Sequence, residues 1–262
     1  TLGRGGSDTT GVALAVALNA DECQIYTDVD GIFTTDPRVC SKARLLKEVS
    51  FEEMLELSSS GAKVLQLRSV EYASKFNLPI RVLSSFNEGD GTLVQEEKNI
   101  MERPIVSGIS SIDTEAKLTI RGVPDVPGIA AKILSPISEA GIEVDVIVQN
   151  ISADNCTDFT FTVDKGDAEN AKEILQKTSA SLGGGLVEVD HDIAKISVVG
   201  RGMRAHAGVA SKMFQALAKD EINISMITTS EIKISVVIKE SEMKKAVTAL
   251  HNAFDLDKEL DS

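Results

Sequence analysis

The sequence predicts a chain of mixed α/β and α+β class, with a layered α/β segment over residues 1–90 followed by two βαββαβ modules. Three observations carry this reading. Two stretches repeat at an offset of 78–80 residues, apolar positions inside each copy recur first every four residues and then every two, and the first ninety residues alternate short apolar strands with helical stretches.

The repeat is read by direct matching. Lys117-Leu-Thr-Ile-Arg-Gly122 matches Lys195-Ile-Ser-Val-Val-Gly200, Gly128-Ile-Ala-Ala-Lys-Ile133 matches Gly208-Val-Ala-Ser-Lys-Met213, and residues 142–147 match 222–227. Ile129, Ile133 and Ile137, like Val209, Met213 and Leu217, mark one buried helical face per copy. Ile142, Val144, Val146 and Val148 alternate as a strand, as do Ile222, Ile224 and Met226 and then Ile232, Ile234, Val236 and Ile238. A second helix carries Ala171, Ile174 and Leu175 in copy one, and Met243, Ala246, Val247 and Leu250 in copy two. Copy one closes with a strand near residues 186–189, whereas copy two runs out into residues 255–262, too charged for a buried strand. The β-prone segment 104–110 belongs to neither copy and is expected to complete the second sheet, since a sheet one strand short would expose an unpaired backbone edge. The expected modules are therefore 116–190, and 104–115 together with 191–262.

Upstream, residues 9–18 read as a small-residue helix after a glycine-rich loop, 23–27 and 80–84 as strands, and 51–57 and 62–75 as helices. Strand alternating with helix predicts a parallel sheet covered by helices, and the polar stretch 91–103 reads as a linker.

Composition excludes several function classes. The 262 residues carry 27 Lys and Arg against 40 Asp and Glu, a net charge of −13, and aromatic residues make up 4% with no Trp. Nucleic-acid binding needs a basic surface or a stacking platform, and neither is present. Cys23, Cys40 and Cys156 are widely spaced without a C-x-x-C pair, the pattern of reduced thiols in a cytoplasmic protein. The longest apolar run, residues 12–18, is too short to span a membrane. The chain opens on Thr directly before a glycine motif, which leads to the expectation of further chain upstream.

Two motifs carry candidate chemistry. In Leu2-Gly-Arg-Gly-Gly-Ser-Asp-Thr-Thr10 the glycines permit close backbone approach, and the following helix N-terminus favours an anion. It lacks the Gly-Lys-Ser/Thr of a phosphate loop and the third glycine of a dinucleotide fingerprint, and by itself it also suits a capped helix after a tight turn. The second motif, residues 26–38, follows a strand, where α/β sheets present ligand crevices. A calcium loop starting at Asp28 fails, because its fifth, sixth and twelfth positions are Ile32, Phe33 and Val39; a polar hairpin remains the alternative. Asp190-His191-Asp192 reads as a polar turn between modules and His206 as structural, so no metal ligand is assigned.

Taken together, the motifs resemble the aspartate kinase family. The resemblance rests on Gly3-Arg-Gly-Gly-Ser-Asp-Thr-Thr10, Tyr26-Thr-Asp-Val-Asp-Gly31, Asp36-Pro-Arg38, Phe51-Glu-Glu-Met54, Gly61-Ala-Lys-Val-Leu65 and Arg81-Val-Leu-Ser-Ser-Phe86 in order. It continues through Gly122-Val-Pro-Asp-Val-Pro-Gly128, Val148-Gln-Asn150, Thr157-Asp-Phe-Thr160, Ser197-Val-Val-Gly200, His206-Ala-Gly208 and Thr229-Ser-Glu-Ile232. It implies a partial amino-acid-kinase α/β/α sandwich followed by two ferredoxin-like ACT domains. The implied reaction is phosphorylation of the aspartate side-chain carboxylate by ATP with Mg²⁺, in lysine, threonine and methionine biosynthesis. The resemblance places Arg4, Gly5, Gly6 and Ser7 against aspartate and gives Asp8 the role of orienting catalytic charges. Thr27, Asp28, Phe33, Thr34, Thr35, Asp36, Pro37, Arg38 and Lys63 would line the ATP site. Asp125, Gly128, Ala130, Glu143, Val144, Asp145, Gln149, Asn150, Thr157, Asp158 and, in the second module, Ser230 would contact lysine or threonine as effector. A homodimer or α2β2-type oligomer through the ACT domains is implied. The family's Lys-x-Gly-Gly-Thr-Ser stretch has no counterpart here, so this chain is expected to be inactive alone. The alternative is a non-catalytic ACT-type regulatory subunit, against which residues 1–90 argue; a glutamate kinase is disfavoured by the tandem modules.

Overall fold

The computed structural model describes residues 3, 5–99, 105–151, 156–183, 185–206 and 208–258. They fall into two compact units, one of residues 1–112, 195–238 and 242–262, the other of 113–194 and 239–241.

The first unit begins with α1 (Gly6–Ala17) and β1 (Cys23–Thr27). β2 (Glu48–Ser50) runs straight into α2 (Phe51–Ser59). Ser50 and Glu53 cap α2 reciprocally: the Ser50 hydroxyl accepts the Glu53 N–H, and the Glu53 carboxylate accepts the Ser50 N–H. α3 (Leu67–Phe76) ends at Asn77, whose left-handed φ of 50° stops the helix before β3 (Ile80–Ser84) and β4 (Thr92–Gln95). The sheet order is β1-β3-β4-β2. β1 lies parallel to β3, β4 antiparallel to β3, and β2 parallel to β4, so the sheet is mixed rather than all parallel. Val49, Met54, Val70, Ala73, Ile80, Val82 and Val94 form its core.

Two details differ from the sequence reading. The stretch read as linker contains β4, in which Thr92 and Val94 are fully buried; two inward positions in a polar context were too short a signal. The helix expected over 62–75 starts at Leu67, because Gly61 (φ +108°) and the extended Gln66 hold residues 61–66 as a loop.

β5 (Gly108–Ile112) follows, and then the second unit: β6 (Glu115–Pro124), α4 (Ile129–Glu139), β7 (Ile147–Ile151), β8 (Cys156–Asp164), α5 (Ala168–Ser181) and β9 (Leu186–Asp190). Its antiparallel sheet runs β7-β8-β6-β9, and a bulge between Ile120 and Val123 kinks β6. Both helices pack on one face over Leu118, Ile120, Ile133, Ile137, Phe159, Phe161, Ala171 and Leu175.

The remaining elements return to the first unit: β10 (Ile193–Val199), α6 (Val209–Lys219), β11 (Met226–Thr229), β12 (Lys233–Lys239) and α7 (Met243–Ala253). Their sheet order is β11-β12-β10-β5. β5 pairs antiparallel with β10, Ser110 opposite Ser197, so the fourth strand comes from before the first module. The strand spans 108–112 rather than 104–110, and Pro104 lies outside the described residues. In both copies the strand expected from Ile142 or Ile222 starts four or five residues later, at Ile147 and Met226. Ile142 and Val146, like Ile222 and Met226, are nevertheless buried, so the alternation tracked burial before any ladder partner was available.

Candidate functional site

The parallel pair β1–β3 brings Thr27 and Ser84 to one edge of its sheet, the edge where such sheets hold ligands. The loop after β1 is held there by its neighbours. Ser85 N–H donates to Thr27 O at 2.7 Å, and Asn87 Nδ2 donates to Asp30 Oδ1 at 2.7 Å. Thr92 on β4 accepts the Ile32 N–H at 2.9 Å and donates to Leu46 O at 2.6 Å.

On this loop the Thr27 hydroxyl donates to Asp28 Oδ1 at 3.2 Å, and Asp36 accepts from the Arg38 N–H and from its guanidinium, both at 2.8 Å. The Arg38 hydrogen bonds hold the Asp36 carboxyl below its ordinary range, and the Lys63 ammonium acts in the same direction. Asp36 raises the Arg38 guanidinium in turn, and Asp28 adds to it. Arg38 and Lys63 both face solvent, as does Pro37, so two cations and two carboxylates lie within electrostatic reach of one another on an exposed surface. That set suits a phosphate-bearing ligand: the cations reach anionic oxygens and the carboxylates keep the cations oriented.

The glycine motif packs against Gln66. Gly5 has φ +71°, and a Cβ there would stand 1.8 Å from Gln66 Cγ, so both the backbone and the space require glycine. Gly6 opens α1 without a side-chain cap, leaving first-turn N–H groups toward an anion, while the Ser7 hydroxyl donates to Asp8 Oδ1 at 3.2 Å. Arg4 lies outside the described residues.

Two members of the expected nucleotide set are taken out of solvent. Thr34 is fully buried and Thr35 is 5% exposed, with Phe33 half-buried beside Leu45. The Thr34 hydroxyl bonds His251 Nε2 at 2.9 Å and accepts the Arg44 N–H at 3.0 Å, so Thr34 anchors the loop instead of touching a ligand. Gln66, Thr92 and His251 were not found from sequence, because each acts through a contact distant in the chain. Glu53 had a local signature, the Ser-x-x-Glu spacing at Ser50.

Burial pushes the His251 imidazole below its ordinary range; Asp257 opposes this, while Lys42 and Arg44 reinforce it. The unfolded chain therefore takes up a proton near 6.5 that the folded chain refuses. Folding stability is expected to decline as pH falls through about 6.5, and His251→Gln should flatten that decline. Urea unfolding at pH 8.0 and 5.5 measures it; equal slopes in both proteins would refute the assignment.

In the second unit, the register divides the expected effector residues. The ends of β6, β7 and the start of β8 put Asp125, Gly128, Gln149, Asn150 and Asp158 at one end of the sheet. Glu143, Val144 and Asp145 precede β7, with Asp145 N–H bonded to Thr162 O, at the opposite end about 17 Å of strand away. Asp125 is exposed just before Gly128 (φ +89°), which opens α4 without a side-chain cap, and Ala130 sits half-buried in its first turn. Asp158 accepts the Gly122 N–H at 2.9 Å and pairs with Arg121. Thr157 is removed from the set: it is fully buried and its hydroxyl donates to Asn150 O at 2.8 Å.

In the first unit, Ser230 lines a cavity of about 460 Å³ with Glu52, Glu56, Glu71 and Glu231. Among the described residues, no cluster of three His, Cys, Asp or Glu side chains could hold a metal. Asp190 pairs with Lys117 at 3.1 Å and His191 with Glu169 at 3.5 Å. Among the described residues no helix is long and apolar enough to cross a membrane.

Comparison with known proteins agrees with this architecture. Residues 1–84 match the amino acid kinase family, and residues 118–182 and 196–254 each match the ACT domain. An aspartokinase of Pseudomonas aeruginosa is 64% identical over 259 residues, covering 98% of this chain and 63% of that protein. Aspartokinase III of Escherichia coli, 30% identical, superposes with TM-score 0.82 in its complex with aspartate and ADP and 0.77 in its complex with lysine and aspartate. Each of those matches covers 97% of this chain and 56% of the other. The regulatory subunit of aspartate kinase from Thermus thermophilus is 41% identical with TM-score 0.55, covering 57% of this chain and 99% of the subunit. The chain thus spans about 62–63% of the length of the first curated relatives it matches, and it belongs to the aspartate kinase family, with an amino-acid-kinase segment ahead of two ACT domains.

Proposed function

We propose that this chain is the nucleotide-binding and regulatory part of an aspartate kinase of the cytoplasm, in which ATP phosphorylates the aspartate side-chain carboxylate under feedback control by lysine, threonine or both. The observation that carries the reading is the open cluster of Arg38, Lys63, Asp28 and Asp36 at the ligand edge of the β1–β3 pair. ATP supplies the phosphoryl group, with Mg²⁺ neutralising its charge. Arg38 and Lys63 hold phosphate oxygens, Asp36 orients Arg38, and Gly5, Gly6 and Ser7 present the α1 N-terminus to the aspartate carboxylates. Asp8 orients the charges beside them. Phosphoryl transfer depends chiefly on such positioning and preorganised charge.

In the first ACT module Asp125 takes the effector's ammonium group, and the uncapped α4 N-terminus at Gly128 and Ala130 takes its carboxylate, with Gln149 and Asn150 on the same edge. The outer strands β7 and β9 offer edges to a second copy, giving a homodimer or an α2β2-type assembly.

The test is calorimetric titration of the chain with MgATP. Arg38→Ala and Lys63→Ala are each expected to weaken binding about tenfold, the loss of one charge-assisted contact. Unchanged affinity in both variants refutes the site. A second reading, a non-catalytic regulatory subunit, is favoured by the near-complete coverage of the Thermus subunit. It predicts lysine or threonine binding without any MgATP binding.

A further inference from the structure

We propose that His251, on helix α7 of the second ACT module, is a positioning residue for the nucleotide loop, acting through Thr34 to present Asp36 and Arg38. The inference rests on the reading of residues 27–38 and Lys63 as a nucleotide site.

Thr34 lies two residues before Asp36, and every polar atom it has is engaged. Its N–H donates to Arg44 O at 2.8 Å, and its hydroxyl accepts the Arg44 N–H at 3.0 Å and bonds His251 Nε2 at 2.9 Å. Its carbonyl accepts the Ile109 N–H at 2.7 Å, from β5. Two of these four bonds come from the second ACT module, one from its added strand and one from its last helix. Gly108 permits the first: a Cβ there would stand 3.1 Å from Thr34 O. Nearby, Lys42 Nζ donates to Asn252 Oδ1 at 3.3 Å, so α7 holds the loop on both sides of Asp36.

Burial makes the His251 bond consequential. Both partners are fully buried, and among the described residues the imidazole Nδ1 has no hydrogen-bond partner, so within that set Thr34 is the one hydrogen-bond partner of this ring. Removing one side strands the other without water to replace it. A loop anchored this way keeps Asp36 and Arg38 in one arrangement, and any displacement of α7 or β5 is felt at Thr34. The second ACT module thereby forms part of the nucleotide site's support, giving it a direct route to nucleotide affinity.

The test compares the full chain with His251→Ala and His251→Gln. A glutamine amide retains a polar atom close to the Nε2 position, whichever partner donates. Hydrogen exchange of the amides in residues 34–40 reads the positioning, and calorimetry with MgATP at pH 7.5 reads its consequence. The expected result is at least tenfold faster exchange and about tenfold weaker MgATP binding in His251→Ala, both restored to within threefold by His251→Gln. Should His251→Ala fail to fold, Thr34→Val against Thr34→Ser makes the same exchange comparison. Unchanged exchange in the folded variants overturns the positioning role. If the unsubstituted chain fails to bind MgATP while exchange responds as expected, the loop anchor stands and the nucleotide reading falls.

Discussion

Replacing Glu53 by Ala is expected to destabilise the first unit by about 3 kcal/mol, the scale for stripping a buried carboxylate from several donors. Glu53 is 8% exposed, and its two oxygens accept four hydrogen bonds. Oε2 takes the Ser50 N–H at 3.2 Å and the Ser50 hydroxyl at 2.8 Å, closing the cap of α2. Oε1 takes the Ser107 hydroxyl at 2.6 Å and the Arg201 N–H at 3.1 Å. The Arg201 guanidinium in turn bonds Glu52 and Glu97, each at 2.5 Å. One side chain therefore ties α2, the segment entering β5 and the turn after β10 together. Alanine leaves the donors buried and removes the carboxylate half of the capping box, while the Ser50 hydroxyl still accepts the residue-53 N–H. Urea denaturation measures the loss; a change below about 1 kcal/mol would show that the donors find other partners. Glu53→Gln, which keeps the shape but loses acceptors, should fall between.

Phe161→Ala should cost about 3–5 kcal/mol in the second unit, the range for emptying a large aromatic site in a packed core. Phe161 is fully buried on β8, a central strand of its sheet, edge-on to Phe159 with ring centroids 6.2 Å apart. Its backbone pairs with Leu118 on one side and Ile147 on the other, so a collapse there loosens both β6 and β7. Scanning calorimetry should show a lowered transition, and, on the effector site proposed above, titration with lysine or threonine should show weakened binding, because β7 carries Gln149 and Asn150. A variant that melts with the unsubstituted chain would mean that neighbouring side chains refill the site.

The repeat, the helical faces and the inward alternation were legible in the sequence because each depends on spacing within one element. Ile129, Ile133 and Ile137 are buried as their four-residue period requires, and the burial of residues 141–150 recurs residue for residue at 221–230. The two loop motifs were legible in part for the same reason, since the positive φ of Gly5 and the Asp36–Arg38 bonds are local, although the space that also requires glycine at position 5 is set by the distant Gln66.

What the tertiary structure alone decided is which backbone finds which partner. β4 exists because β3 and β2 flank it, although its own four residues carry little signal. Strands β7 and β11 begin where a neighbouring strand becomes available, not where the apolar alternation begins. Thr34 and Thr157 look like exposed ligand contacts in a motif, yet both are buried and bonded within the fold. For Thr34 the decisive partner, His251, lies 217 residues further along the chain. Hydrophobic periodicity is written one element at a time, whereas a hydrogen bond across such a distance forms only once the packed layers have brought its two ends together.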